Sequence, residues 1–154
     1  MPARSRVLLA VVAVVALVGA GCGESKKDSF KKDYRPLNDE LIGIGKDLAT
    51  AIRGARQKTN AQLASEFGGI ANHLDDLNGK LKDLDAPGDL KDDLNRLTSD
   101  LDDLSQSTEQ IESAARTGDA SAAGTATVQL ITKARDVNQS QDALAEATGA
   151  KKGE

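Results

Sequence analysis

The middle of the chain repeats an apolar residue every three or four positions, and one tetrapeptide, Asp85-Ala86-Pro87-Gly88, divides the repeat into two arms. This period places apolar residues on one stripe of a helix and polar residues on its other faces. Proline removes a backbone donor and disfavours helical geometry at the preceding residue, so we expect two helices that fold back on each other. We call the stripes of both arms the leucine ladder. Its residues are Leu63, Phe67, Ile70, Leu74, Leu77, Leu81 and Leu84 in the first arm, and Leu90, Leu94, Leu97, Leu101, Leu104, Thr108 and Ile111 in the second.

Acidic residues fall between the ladder positions. Because a helix face that meets water carries charge, Asp93 and Asp102 are predicted to be exposed. Leu97 and Leu101 are predicted to be buried against the partner helices.

A helix before the ladder is predicted to begin near Pro36. Proline suits the first helical position, and Asp39 and Glu40 suit the first turn because acidic side chains favour the positive end of the helix dipole. Phe30 and Tyr34 keep the same register, so a helical turn before Pro36, joined through a kink, is the alternative. The stripe of this helix is Leu37, Leu41, Ile44, Leu48 and Ile52.

A capping motif marks the junction between this helix and the ladder. The first helix should stop around Lys58, and Thr59 followed by Gln62 three residues later is typical of the capping box that starts a helix. Neither proline nor glycine stands at the junction. One continuous helix over residues 36–84 is therefore the alternative.

Gly118-Asp119 predicts the boundary of a last helix, because glycine suits the end of one helix and aspartate caps the start of another. That helix should end near Gly149, leaving residues 150–154 as a charged tail. Its stripe is Ala123, Ala126, Leu130, Ala134, Val137, Gln141 and Leu144. Together these elements predict an all-α fold, an up-and-down four-helix bundle with short loops over residues 30–149.

Residues 1–21 are typical of an export signal. Arg4 and Arg6 precede an unbroken apolar run from Val7 to Val18, and three small residues follow it. The run is shorter than the roughly 20 residues that cross a bilayer as a helix. We expect this signal peptide to be cleaved.

Cys22 is the only cysteine in the sequence and directly follows the small residues. A disulfide within the chain would need a second cysteine. The segment Val18-Gly19-Ala20-Gly21-Cys22 resembles the lipobox of bacterial lipoproteins, with Gly19 where that family most often has leucine. The resemblance implies that Cys22 receives a diacylglycerol thioether and becomes the new N-terminus. It implies a protein exported and held by lipid, palmitate for example, at the extracytoplasmic face of a bacterial membrane.

Residues 22–29 are predicted to form a lipidated, flexible tether between the bilayer and the bundle. Positive side chains near the tether would favour an anionic lipid surface by up to about 1 kcal/mol each, reduced by nearby acidic residues. A solvated linker is the alternative. The candidate membrane-surface contacts are Lys26, Lys27, Lys31, Lys32 and Arg35.

The composition argues against nucleic-acid binding. The chain has 20 basic and 24 acidic residues, so its net charge is −4, and removal of residues 1–21 with their two arginines would make it −6. Nucleic acid favours a concentrated basic face. The aromatic residues, Phe30, Tyr34 and Phe67, are too few for a base-stacking platform.

The sequence has no recognisable catalytic or metal-binding pattern. His73 is the only histidine, and Ile70 stands where the helical di-metal motif needs a glutamate. We therefore predict a solvated His73, no metal, no cofactor and no enzymatic activity.

The helical part is similar to small, uncharacterised actinobacterial-type lipoproteins that have comparable helices around an Ala-Pro turn. This resemblance implies a membrane-tethered, extracytoplasmic helical domain. We expect a non-catalytic interaction or structural module of the cell envelope, whose acidic helix faces contact an envelope protein. A small-molecule binding module that uses the bundle interior is the alternative.

Overall fold

The computed structural model describes residues 25–149, which form four long helices and one short 3-10 turn. Each helix packs along the next one in the chain, as short connections require. The structure confirms the predicted all-α, up-and-down bundle. The helices are α1 (Lys26–Gly54), α2 (Asn60–Lys82), α3 (Lys91–Thr117) and α4 (Ala120–Thr148), and the 3-10 turn is Ala55–Gln57.

Helix α1 begins ten residues before the predicted start and contains Pro36 in its interior. Ser25 caps it, because the Ser25 hydroxyl accepts a hydrogen bond from the backbone N–H of Asp28 at 3.2 Å. Phe30 and Tyr34 are both buried, with stacked rings 5.8 Å apart. Their burial stabilises the turns before Pro36, so the predicted start at Pro36 is wrong and the alternative of helix before Pro36 is closer.

The same result changes the predicted tether. Residues 26–29, assigned to a flexible segment, belong to the first turn of α1. Residues 22–24 lie outside the described part of the chain.

Two separate helices, rather than one, cover residues 36–84. Helix α1 ends at Gly54, and the capping box predicted for α2 has both of its hydrogen bonds. The backbone N–H of Gln62 donates to the Thr59 hydroxyl at 3.3 Å, and the backbone N–H of Thr59 donates to the Gln62 side-chain oxygen at 2.9 Å. These bonds satisfy two of the donors that a helix start leaves free.

Replacing Thr59 with alanine is expected to lower the free energy of unfolding by about 1 kcal/mol, because the start of α2 loses its side-chain acceptor. Urea denaturation would measure this change. Thr132→Ala is the matched control: Thr132 is exposed inside α4, where alanine is a better helix former. Equal losses in the two variants would contradict the capping role.

The predicted breaks at the other helix ends are confirmed. Gly118 adopts φ +70° at the end of α3, and Gly149 adopts φ +65° at the end of α4. Both are left-handed conformations that glycine accepts without a steric penalty. The Asp119 side chain caps α4 by accepting from the backbone N–H groups of Ser121 and Ala122 at 3.0 and 2.9 Å.

The leucine ladder forms the centre of the core. Leu97 and Leu101 have no exposed surface, as predicted, and Asp102 is exposed. Asp93 is only half-buried rather than exposed, because it lies three residues after Leu90 and therefore on the flank of the buried stripe. The ladder thus fixes the facing sides of α2 and α3.

Helices α1 and α4 close the bundle less completely than the other neighbours. Their mutual contact is the smallest among the adjacent helix pairs. A buried cluster of Tyr34, Asn38 and Gln141 links them at one level. From that level toward the C-terminal end of α1, the two helices leave an open groove.

Candidate functional site

The candidate functional site is a half-open groove of about 760 Å³ between α1 and α4. This volume lies within the usual range for small-molecule sites. Leu74 of α2 and Leu104 of α3 reach its floor. We call it the α1–α4 groove. Its apolar lining includes Leu41, Ile42, Ile44, Leu48 and Ile52 from α1, and Leu130, Ile131, Ala134 and Val137 from α4.

Small residues occur on both walls of the groove. Gly45 and Ala49 line it from α1, and Ala134 lines it from α4. A Cβ atom added to Gly45 would have no neighbouring atom within 4 Å. Side chains of this size cannot fill the space between two helices at ordinary packing density.

A buried polar cluster ends the groove on the side of the α4 C-terminus. The Tyr34 hydroxyl donates to the Asn38 side-chain oxygen at 3.2 Å, and the Gln141 amide donates to the same oxygen at 2.8 Å. Burial raises the pKa of the Tyr34 hydroxyl above its ordinary value, and the Asp142 carboxylate raises it further. The hydroxyl therefore remains a donor at neutral pH, and the cluster ties α1 to α4 at this level.

Three cations line the groove: Lys46 and Arg53 of α1, and Arg135 of α4. The described lining contains no aspartate or glutamate. Within residues 25–149 none of the three cations forms an ion pair, and Arg53 donates only to the Thr50 hydroxyl at 3.3 Å. The groove therefore carries a local positive charge in a chain whose net charge is negative.

Some other cations of the bundle have acidic partners. Lys82 pairs with Asp102 at 2.9 Å. Lys133 pairs with Asp103 at 2.6 Å, and this hydrogen bond raises the pKa of the Lys133 ammonium. Lys91 and Arg96 of α3 also form no ion pair within residues 25–149, so the groove differs in gathering three unpaired cations in a lining without carboxylates.

Two large apolar residues of α4 are well exposed at or beside the groove. Ile131 lines it and is 42% exposed, and Val128 is 67% exposed. They are the exposed large hydrophobic residues of the described chain. Single exposed apolar residues are common on protein surfaces, so only Ile131, which lines the groove, adds to its apolar surface.

The predicted membrane-surface cations lie in the first turns of α1, at the bundle end that holds the α2–α3 turn. Lys26 pairs with Asp85 at 3.6 Å, and Lys27 pairs with Asp89 at 3.3 Å. These exposed pairs reduce the positive charge of this end. The contact of Lys26, Lys27, Lys31, Lys32 and Arg35 with lipid stays a prediction, and the lipidation site, Cys22, lies outside the described residues.

His73 is exposed, as predicted, on the face of α2. Asp47, Glu66 and His73 share a shallow depression, but among residues 25–149 there is no group of three side chains arranged to hold a metal ion.

Among residues 25–149, no helix combines the length and the apolar character needed to cross a membrane.

Periodicity did not reveal the groove. Ile42 and Ile131 lie outside the predicted stripes, and Lys46 and Arg135 resemble ordinary surface cations in the sequence. The available signal was the alanine-rich stripe of α4, which is too small to cover its neighbour.

No protein-family model, curated protein or solved structure matches the chain.

Proposed function

We propose that this protein is an exported lipoprotein of the bacterial cell envelope that binds a partner without catalysing a reaction, and that the α1–α4 groove is its binding surface. The observation that carries the proposal is an apolar groove of about 760 Å³ with converging polar and cationic side chains. The proposed location at a bacterial membrane rests on the lipobox resemblance around Cys22. The bilayer would be the partner of the acylated N-terminus.

The chemistry of the groove favours binding over catalysis. Its polar groups are the three cations and the side chains of Thr50, Asn138 and Gln141, which both donate and accept hydrogen bonds. The described lining has no carboxylate, imidazole or thiol, the groups that most often serve as a general base or a nucleophile. Such a lining suits the recognition of a ligand.

The groove favours the small-molecule alternative over docking through acidic helix faces. Some acidic side chains on the helix faces are already paired, as in Lys80–Glu40 at 2.9 Å and Lys133–Asp103. The unfilled apolar space, in contrast, has no partner within the described chain. The resemblance to small helical lipoproteins agrees with either role.

Docking of an envelope protein on the outside of α4 is the second candidate. Val128 lies beside the groove without lining it and exposes most of its side chain. Covering this side chain with a partner would remove its apolar surface from water, which favours association. A partner held through Val128 would tolerate a blocked groove, and this separates the two candidates.

A large side chain introduced into the groove should weaken the binding of a neutral apolar probe. We expect N-phenyl-1-naphthylamine to bind the mature chain, residues 22–154 with Cys22→Ser, with a saturable fluorescence increase. Gly45→Trp should weaken this binding about tenfold or more, because the indole would occupy the groove.

Gly43→Trp is the matched control. Gly43 also lies in α1, and a Cβ atom there would have no neighbour within 4 Å, but Gly43 does not line the groove. Both changes replace a glycine inside a helix and should raise helix propensity equally. Absence of saturable binding, or equal loss in both variants, would refute the groove as the binding surface.

A further inference from the structure

The charges of the α1–α4 groove narrow the class of its ligand. Resting on the proposed binding function, we propose that the groove holds a long-chain fatty acid, with the hydrocarbon chain along its apolar floor and the carboxylate at Arg53, the cation at one end of the α1 wall.

The groove is long enough for one extended hydrocarbon chain. Its lining on α1 runs from Leu41 to Arg53, a rise of about 18 Å at 1.5 Å per residue. Carbon–carbon bonds of about 1.5 Å, joined in a zigzag, span this distance with roughly 14 carbons. The lining on α4 from Leu130 to Gln141 has a similar rise of about 17 Å. Both walls therefore match the length of a single acyl chain.

The head group should be an anion. Lys46, Arg53 and Arg135 line the groove, form no ion pair within residues 25–149 and meet no carboxylate in the described lining. Arginine presents parallel N–H donors that suit a carboxylate. Asp47 follows Lys46 in the sequence but lines a different depression with Glu66 and His73. An anionic ligand would give the groove cations the partners that other lysines of the bundle already have.

A compact carboxylate fits the lining better than a larger lipid head group. The other polar side chains of the groove are Thr50, Asn138 and Gln141, and Gln141 already donates to Asn38. Inside the groove few groups could satisfy the hydroxyl and ester oxygens of a glycerol phosphate head, so such a head would have to stay in the water at the open side. Because the lining has few polar side chains, the hydrocarbon chain would lie in apolar surroundings.

The test compares ligands with one chain length and different heads. Displacement of N-phenyl-1-naphthylamine from the mature chain, residues 22–154 with Cys22→Ser, would be measured below micelle-forming concentrations. The ligands are tetradecanoate, tetradecanol, tetradecyltrimethylammonium and tetradecanoyl lysophosphatidylglycerol. We expect tetradecanoate to bind at least about tenfold more tightly than the other three. Its advantage over the alcohol should shrink as salt increases.

Single charge variants locate the head group. Arg53→Gln should weaken tetradecanoate about tenfold and leave tetradecanol unchanged. The control, Arg56→Gln, removes the same charge three residues further along the chain, from an exposed position outside the groove, and should change neither ligand.

The other outcomes distinguish an error in the proposed ligand from an error in the proposed binding surface. Equal binding of tetradecanoate and tetradecanol, or equal losses in both charge variants, would refute the fatty acid while the groove stands as a binding surface. Tighter binding of the lysophospholipid or the ammonium ligand would also refute it. Failure of the neutral probe itself would refute the proposed function as well.

Discussion

Leu101→Ala is expected to lower the free energy of unfolding by about 2 to 5 kcal/mol. Leu101 has no exposed surface and lies in the middle of the ladder between α2 and α3, so alanine would leave a cavity that long helices cannot collapse around. Urea denaturation of the mature chain would measure the loss as a shift of the midpoint with an unchanged slope.

Asp102→Ala at the next position is the control, with an expected change below about 1 kcal/mol. Asp102 pairs with Lys82 across an exposed contact, and such pairs contribute little. Asp102 also accepts a hydrogen bond from the buried Asn78 amide at 2.5 Å. In the variant that amide would still donate to the Thr98 backbone carbonyl, which lies at 3.1 Å. Similar midpoint shifts for the two variants would contradict the ladder register.

The ladder was predictable because its information is local. Leucines such as Leu94, Leu97 and Leu101 repeat at helical spacing, and Pro87 leaves little choice about where the chain turns. Large side chains in a strict period bury the same face in almost any helical bundle. Sequence alone therefore identified the four helices and most of their buried faces.

The start of α1 was not predictable by the same reasoning. Pro36 is a strong local signal for a helix start, but the helix continues upstream because Phe30 and Tyr34 are buried. The bond from Gln141 to Asn38 joins residues 103 positions apart. Packing between distant segments thus overrides a local preference of proline.

The groove depends on a relation between two helices that the sequence does not show. Periodicity indicates that Leu48 and Leu130 face inward, but not that the space between them stays unfilled. Lys46 and Arg135 line the same groove only because α1 and α4 lie side by side. The candidate site therefore needed the assembled fold.

The start of α1 and the groove lie at different levels of the bundle. Helix α1 starts at Lys26, while the groove begins at Leu41. The rise between Lys26 and Leu41 is about 22 Å. The groove is thus set back from the end of the bundle at which α1 begins.

Cys22→Ser in the full-length chain is expected to move almost all of the protein out of the membrane fraction. One acyl chain gives only marginal membrane binding, whereas a diacylglycerol thioether supplies two chains and stable anchoring. The exposed ion pairs of Lys26 with Asp85 and of Lys27 with Asp89 leave this end too little free charge to replace the lipid. Fractionation and mass spectrometry of the membrane pellet would measure the change, with a lipid-modified peptide beginning at Cys22 in the unaltered protein.

Ser25→Ala, three residues downstream, is the control and should remain anchored, because it removes only the cap of α1. Retention of the Cys22→Ser protein in the pellet, or an unmodified Cys22 in the parent, would exclude lipid anchoring at this residue.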